Sequence, residues 1–417
     1  MRYLWSTFTF ILMILGFIGC GSVTREADLN TQEPPERNYK QTRYENEWVK
    51  NINIRTFTMA STHDKEGNFY FISQDFDEKK KLFRITKLDK DTNTLWSKQY
   101  APIPNVEYYN GNIKVDKEGF IYVAGTVSKS FIETQDRETF VMKVSAQGEL
   151  LWHDKKTEPT GHEWVHDTAL DSAGNFYILG DLRINKDIAK DNSTFLRKYT
   201  SAGSHAWTKI VNNTYFVEGL GIKVDKKDTI YVSGIIGRDI FVTSYKNDGE
   251  KNLYKEYKTK DSERSIHMSL SPDNHLYIAG YVLNIVSKTK ELFIKKVDIH
   301  GKEIFDITFG NRPGSSQINA ITNDKYGNTY VYYENNNKDK DNKLITKAFL
   351  RQYSPSGDFQ HEFEYDGTPL SGSIGKENDL FVLEDESLFI SGSGHIMLKG
   401  DEPSLGAYIL KLSSQKK

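Results

Sequence analysis

The stretch DSAGNFYILG, running from Asp171 to Gly180, decides the fold, because the chain repeats it. Related blocks read DKEGNFYFIS from Asp64, DKEGFIYVAG from Asp116 and DKKDTIYVSG from Asp225. Others read SPDNHLYIAG from Ser271, DKYGNTYVYY from Asp324 and a degenerate LEDESLFISG from Leu383. Their marker aromatics are Tyr70, Tyr122, Tyr177, Tyr231, Tyr277, Tyr330 and Phe389, so successive copies stand 46 to 59 residues apart. An Asp opening a turn caps backbone N–H groups, and the later Gly accepts a positive φ. The apolar alternation that follows is a strand signal.

A second half follows each marker. An alternating segment comes first: FVMKV at Phe140, FLRKY at Phe195, FVTSY at Phe241, FIKKV at Phe293, FLRQY at Phe349 and YILKL at Tyr408. A glycine turn and a short strand complete the unit, with Trp96, Trp152, Trp207, Leu253 and Phe305 as its landing residues. A repeat of about fifty residues built from strands is the signature of a propeller blade. The fold class expected is all-β: a seven-bladed β-propeller of four-stranded antiparallel blades. The large aromatics fill the wedges between sheets, and glycines ending the second strand (Gly125, Gly180, Gly234, Gly280, Gly392) allow close backbone approach.

The seventh copy ends at Leu412 without a fourth strand. ENEWVK at Glu45–Lys50 stands alone before the first block and resembles the outer-strand segment LLWHDKK. Residues 45–52 are therefore expected to supply the missing strand of blade seven. The ring would then be closed by an N-terminal strand, which removes exposed edges.

Upstream, Arg2 precedes an apolar run that ends at Phe17-Ile18-Gly19-Cys20. A charged start, a short apolar core and small residues at the cut describe an export signal. Cys20 is the chain's one cysteine, which excludes an internal disulfide framework. Its position makes the segment resemble a bacterial lipoprotein signal, although Phe17 stands where such signals usually carry Leu. That resemblance implies lipidation at Cys20 and an anchor in the cell envelope, with the outer membrane expected. The domain reading is residues 1–19 signal peptide, 20–43 flexible tether and 44–413 propeller.

Fifty-five Lys and Arg against 57 Asp and Glu give a net charge of −2, which argues against nucleic-acid binding by bulk charge. No cofactor is expected, and the protein is expected to be a monomer.

The D-x-x-G-N-x-Y-hydrophobic-x-G block, the Phe-led strand and the Gly-x-x-x-Trp turn together resemble the SBBP repeat, named for a seven-bladed β-propeller. The resemblance spans roughly residues 45–412. It implies exported proteins, often lipoproteins, of undefined biochemical activity, and it assigns no catalytic residues.

In a four-stranded meander the short a–b and c–d turns share one face. The longer b–c and d–a connections share the other, at 126–139, 181–194, 281–291 and 334–347 between b and c. Variable loops on a rigid scaffold are where binding concentrates. Candidate binding residues on this loop face are Tyr108, Tyr109, His162, Trp164, Tyr215, Phe216, Arg264 and Arg312. Aromatics with a few polar groups suit a glycan or a protein hot spot. The expected function is a non-enzymatic binding or scaffold module for a protein or glycan partner. Its alternatives are an outer-membrane assembly scaffold and a polysaccharide-acting propeller enzyme.

His162-Glu163-Trp164-Val165-His166 matches the H-E-x-x-H of zinc proteases, but that chemistry needs a helix. Pro159 and Gly161 precede it and a strand follows, so no metal site is expected. Asn335 to Lys343, NNNKDKDNK, lacks calcium-loop spacing and reads as a solvated loop.

Overall fold

The computed structural model describes residues 43–52, 58–77, 80–129, 137–156, 162–183, 192–212, 217–258, 261–284, 289–310, 314–338, 340, 342, 344–364, 379–396 and 404–415. Cys20, the export signal and the tether lie outside them. The described residues form seven four-stranded antiparallel sheets and no helix. The innermost strands (strand a) are Thr58–His63, Glu107–Val115, His162–Leu170, Val217–Val224, Ser262–Leu270, Ser315–Asn323 and Asp379–Val382. Each lies against the innermost strand of the next blade, and the last lies against the first, so the ring is complete.

Closure follows the expected route. The strand Arg43–Ile52 pairs antiparallel with Ser404–Gln415, from Arg43 opposite Gln415 to Ile52 opposite Ala407. It is the outer strand of blade seven, longer by two residues than the segment read from sequence.

The repeat residues explain themselves locally. In blade three, Asp171 Oδ1 accepts from the backbone N–H groups of Ala173 and Asn175 at 3.0 and 2.8 Å. Its Oδ2 accepts from Asn175 Nδ2 at 2.8 Å and from the Tyr177 hydroxyl at 3.0 Å. The marker tyrosine is thus tied to the Asp six residues before it. The same bond recurs as Tyr70–Asp64, Tyr122–Asp116, Tyr231–Asp225 and Tyr330–Asp324 at 2.9 to 3.2 Å. A buried phenol needs a partner, and the capping Asp supplies it. In the degenerate seventh copy Leu383 and Phe389 replace both partners together.

The cores lie between blades. Tyr70, Ile72, Phe83 and Ile85 of blade one pack with Tyr108, Ile113, Val123 and Phe140 of blade two. Outer-strand tryptophans tie blades one, two and three each to the next blade's c–d turn: Trp96 Nε1 donates to Ala146 O at 3.0 Å, Trp152 Nε1 to Ser201 O at 3.3 Å and Trp207 Nε1 to Asn247 O at 3.3 Å. The turn glycine beneath Trp152, Gly203, has φ 92°, and a Cβ there would meet the indole at 2.7 Å. Glycine is required at Gly203 twice, for φ and for space.

Five of the seven inner strands share a β-bulge that the repeat pattern hides. Pairing slips between Val165 and Asp167, Gly219 and Gly221, Ser265 and His267, Ile318 and Ala320, and Thr58 and Ala60. A bulge bends its strand and re-aims the side chains beyond it. It also brings the strand-a carbonyl onto the glycine that ends strand b. A Cβ at Gly180 would lie 2.5 Å from Trp164 O, and one at Gly280 would lie 1.9 Å from Arg264 O.

One loop reading is corrected. Thr329–Lys338 and Leu344–Tyr353 stay paired up to Lys338 opposite Leu344. The expected connection 334–347 is therefore mostly an extended hairpin. Its polar residues mislead because they have local partners: Asn335 is buried and its Nδ2 donates to Ser316 Oγ at 3.0 Å.

Candidate functional site

The axis of the ring holds a polar cavity of about 90 Å³ lined by the inner strands of all seven blades. Ala60, Asn112, Asp167, His267, Ala320 and Asp379 occupy one level, four residues before each a–b turn. Lys114 and Lys223 stand two residues before theirs, one step closer to the hairpin face. The charged residues were not singled out from sequence, because single polar residues in short strands carry no motif.

The two carboxylates have local partners. Asp167 Oδ1 accepts from Thr168 N at 2.8 Å, and its Oδ2 accepts from Ile222 N of blade four at 3.1 Å. Asp379 Oδ2 meets His63 Nδ1 at 3.1 Å, and the His63 ring stacks on Phe381 at 3.5 Å. Burial works to raise the Asp379 pKa, but the His63 bond and the positive charges of His63, Lys114 and Lys223 outweigh it and hold it below the usual range. For Lys223, burial lowers the ammonium pKa; Asp167 works against that shift, and Lys114 adds to it.

A second cluster sits at the loop-face mouth. Register places Trp164 opposite Asp181 and Asp167 opposite Leu179, two residues apart on one strand. Trp164 therefore shares a side of the sheet with the channel residue Asp167. The Arg137 guanidinium stacks over the Trp164 ring at 4.4 Å. The Tyr109 hydroxyl donates to Glu107 Oε2 at 3.4 Å. Burial and Glu107 raise its pKa, while Ser128 and Arg137 oppose the rise. Arg137 thus contacts Trp164 of blade three and bears electrostatically on Tyr109 of blade two. Arg183 bears on it electrostatically and is itself exposed.

The candidates read from sequence separate into groups. Tyr109 and Trp164 come together around Arg137, which sequence reasoning passed over because nothing in its neighbourhood repeats. Arg264 occupies in blade five the position that Trp164 holds in blade three, opposite Tyr281. His162 starts the inner strand of blade three. Tyr108 is corrected: it is 1% exposed, its hydroxyl accepts from Ile103 N at 2.9 Å, and its ring meets Phe83 and Phe140 edge-on. Its place is the core between blades one and two, where no ligand reaches. Tyr215, Phe216 and Arg312 lie outside the described residues.

The H-E-x-x-H segment is extended, not helical. Glu163 is fully buried in a two-pronged pair with Arg197, at 2.9 and 2.6 Å. His166 Nε2 meets Asp181 Oδ2 at 2.7 Å. Neither residue is placed for zinc-protease chemistry. Among the described residues no group of three His, Cys, Asp or Glu side chains converges as a metal site.

No family model matches the chain, and no curated protein matches it. Solved structures do match. The crystal structure of polysaccharide lyase Uly1 is 11% identical, with 92% of this chain and 95% of that chain covered and a TM-score of 0.50. A protein from Lactobacillus plantarum is 10% identical over 83% of this chain and 99% of its own, at TM-score 0.49. The Penicillium chrysogenum α-L-arabinanase complexed with arabinobiose is 11% identical over 87% and 94%, at TM-score 0.49. At such identity the likeness concerns the fold alone. The class defined is a seven-bladed β-propeller with a polar axial channel.

Proposed function

We propose that the protein is an exported, lipid-anchored binding propeller that holds a protein or glycan partner on its loop face without chemical conversion. The observation that carries this reading is the Arg137 guanidinium stacked on Trp164, with Tyr109 beside it, at the channel mouth. Trp, Tyr and Arg are the side chains that dominate binding hot spots. The likeness of the repeat to SBBP modules and the signal-like segment ending at Cys20 support an envelope location.

The competing reading, a polysaccharide-acting enzyme, needs an acid–base pair open to substrate. Among the described residues, the two carboxyls pushed up to about 7 by burial, Glu263 and Glu334, are 2% and 8% exposed and do not meet that need.

The test is retention of envelope components on the immobilised propeller. Trp164→Ala should weaken retention by about tenfold or more, the scale of a hot-spot truncation. Equal retention by the variant would overturn the loop-face assignment. Cys20→Ala should leave the membrane fraction of intact cells, and persistence there would contradict the lipid anchor.

A further inference from the structure

The axial cavity holds two cations and two anions, yet their bonding is unequal. Both oxygens of Asp167 accept from backbone amides, and Asp379 accepts from His63. The Lys114 and Lys223 ammonium groups line the same cavity and donate no hydrogen bond to any described residue. Each acts on the other and on Asp379 only through space. Two like charges on inner strands of blades two and four repel one another, and no described side chain accepts from either. Elsewhere in the lining, Ala60, Ile113, Met268, Ala320, Ile321 and Leu380 offer no oxygen or nitrogen in their side chains, and Ser61 offers a hydroxyl.

We propose that the axial cavity is a binding site for a small free oxyanion, a phosphate, sulfate or carboxylate, held between Lys114 and Lys223. An oxyanion offers several acceptor oxygens to two ammonium groups that donate to no described residue. Asn112 and His267, one level up, add further polar atoms to the wall. The cavity volume of about 90 Å³ suits a group of this size. Bound there, the anion would tie blade two to blade four across the axis. The site is independent of the loop-face reading, because Trp164 lies at the mouth and does not line the cavity.

The experiment is thermal unfolding of the whole propeller in inorganic phosphate, sulfate or acetate, against chloride at equal ionic strength. At least one oxyanion should raise Tm by about 2 °C or more and saturate, as a site-bound ligand does. Lys114→Met/Lys223→Met should lose the effect, whereas Lys223→Arg, which keeps the charge, should retain it. Identical oxyanion responses in wild type and the double variant would overturn the proposal, as would no response in wild type. If the double variant does not fold, Lys114→Met alone decides: an apparent affinity weakened at least fivefold supports the site, and an unchanged one overturns it. Trp164→Ala should leave the oxyanion response intact, which separates this outcome from failure at the loop face.

Discussion

Glu334 is the residue whose chemistry departs furthest from what its surroundings in sequence suggest. It stands in NNNKDK-rich territory that reads as solvated, yet it is 8% exposed, and burial pushes its carboxyl up to about 7 against the hydrogen bonds of Asn319 and Tyr332. The unfolded chain releases this proton near pH 4.5 and the folded chain near 7, so between those values the native state binds more protons. Stability therefore falls as pH rises through that window, by about 3 kcal/mol for a shift of this size. Glu334→Gln should remove most of that slope and stabilise the protein at pH 8 relative to wild type. Denaturant unfolding at pH 5 and pH 8 measures it; an unchanged slope would show that Glu334 ionises freely. At this scale the turn Asp and the marker Tyr were each legible, but the hydrogen bond joining them was not. Sequence shows two recurring residues six apart, and only the hairpin geometry makes them partners.

Among elements, the inner strands matter most for any site, and they were the least legible. Periodicity of two predicts their existence, but the bulge breaks that periodicity by one residue. The break puts Trp164 on the same side of the sheet as Asp167 instead of leaving it to alternate away. The channel set of Lys114, Asp167, Lys223, His267 and Asp379 is drawn one residue from each of five blades, so no single stretch displays it. The closing strand was legible because it lacks a partner in its own surroundings: an orphan outer-strand pattern at one end matches a missing strand at the other. Arg43–Ile52 runs its full length along Ser404–Gln415. Deleting residues 43–52 should lower Tm by about 10 °C or more, the consequence of losing several kcal/mol and exposing the outer edge of the strand Ser404–Gln415. A melt within about 2 °C of wild type would mean that the ring does not depend on this strand.

For the whole molecule, seven copies of one hairpin turn make one end of the ring uniform. Five Asp-capped a–b turns and five glycine c–d turns occupy it, and Trp96, Trp152 and Trp207 lock blades one to four in succession. Uniformity leaves variation to the other end, and there the stacked Arg137–Trp164 pair opens onto a channel whose residues do not follow the repeat. The architecture was readable from the repeat because packing repeats. The site was readable only in part because recognition does not, and Arg137 in particular has no counterpart pattern to announce it. Site-specific photocrosslinking in intact cells tests the central claim most directly. A photoreactive residue at exposed Arg183 on the loop face should yield a discrete adduct, while the same group at exposed Glu118 on the hairpin face should yield none. Adducts formed from Glu118 and not from Arg183 would contradict the account.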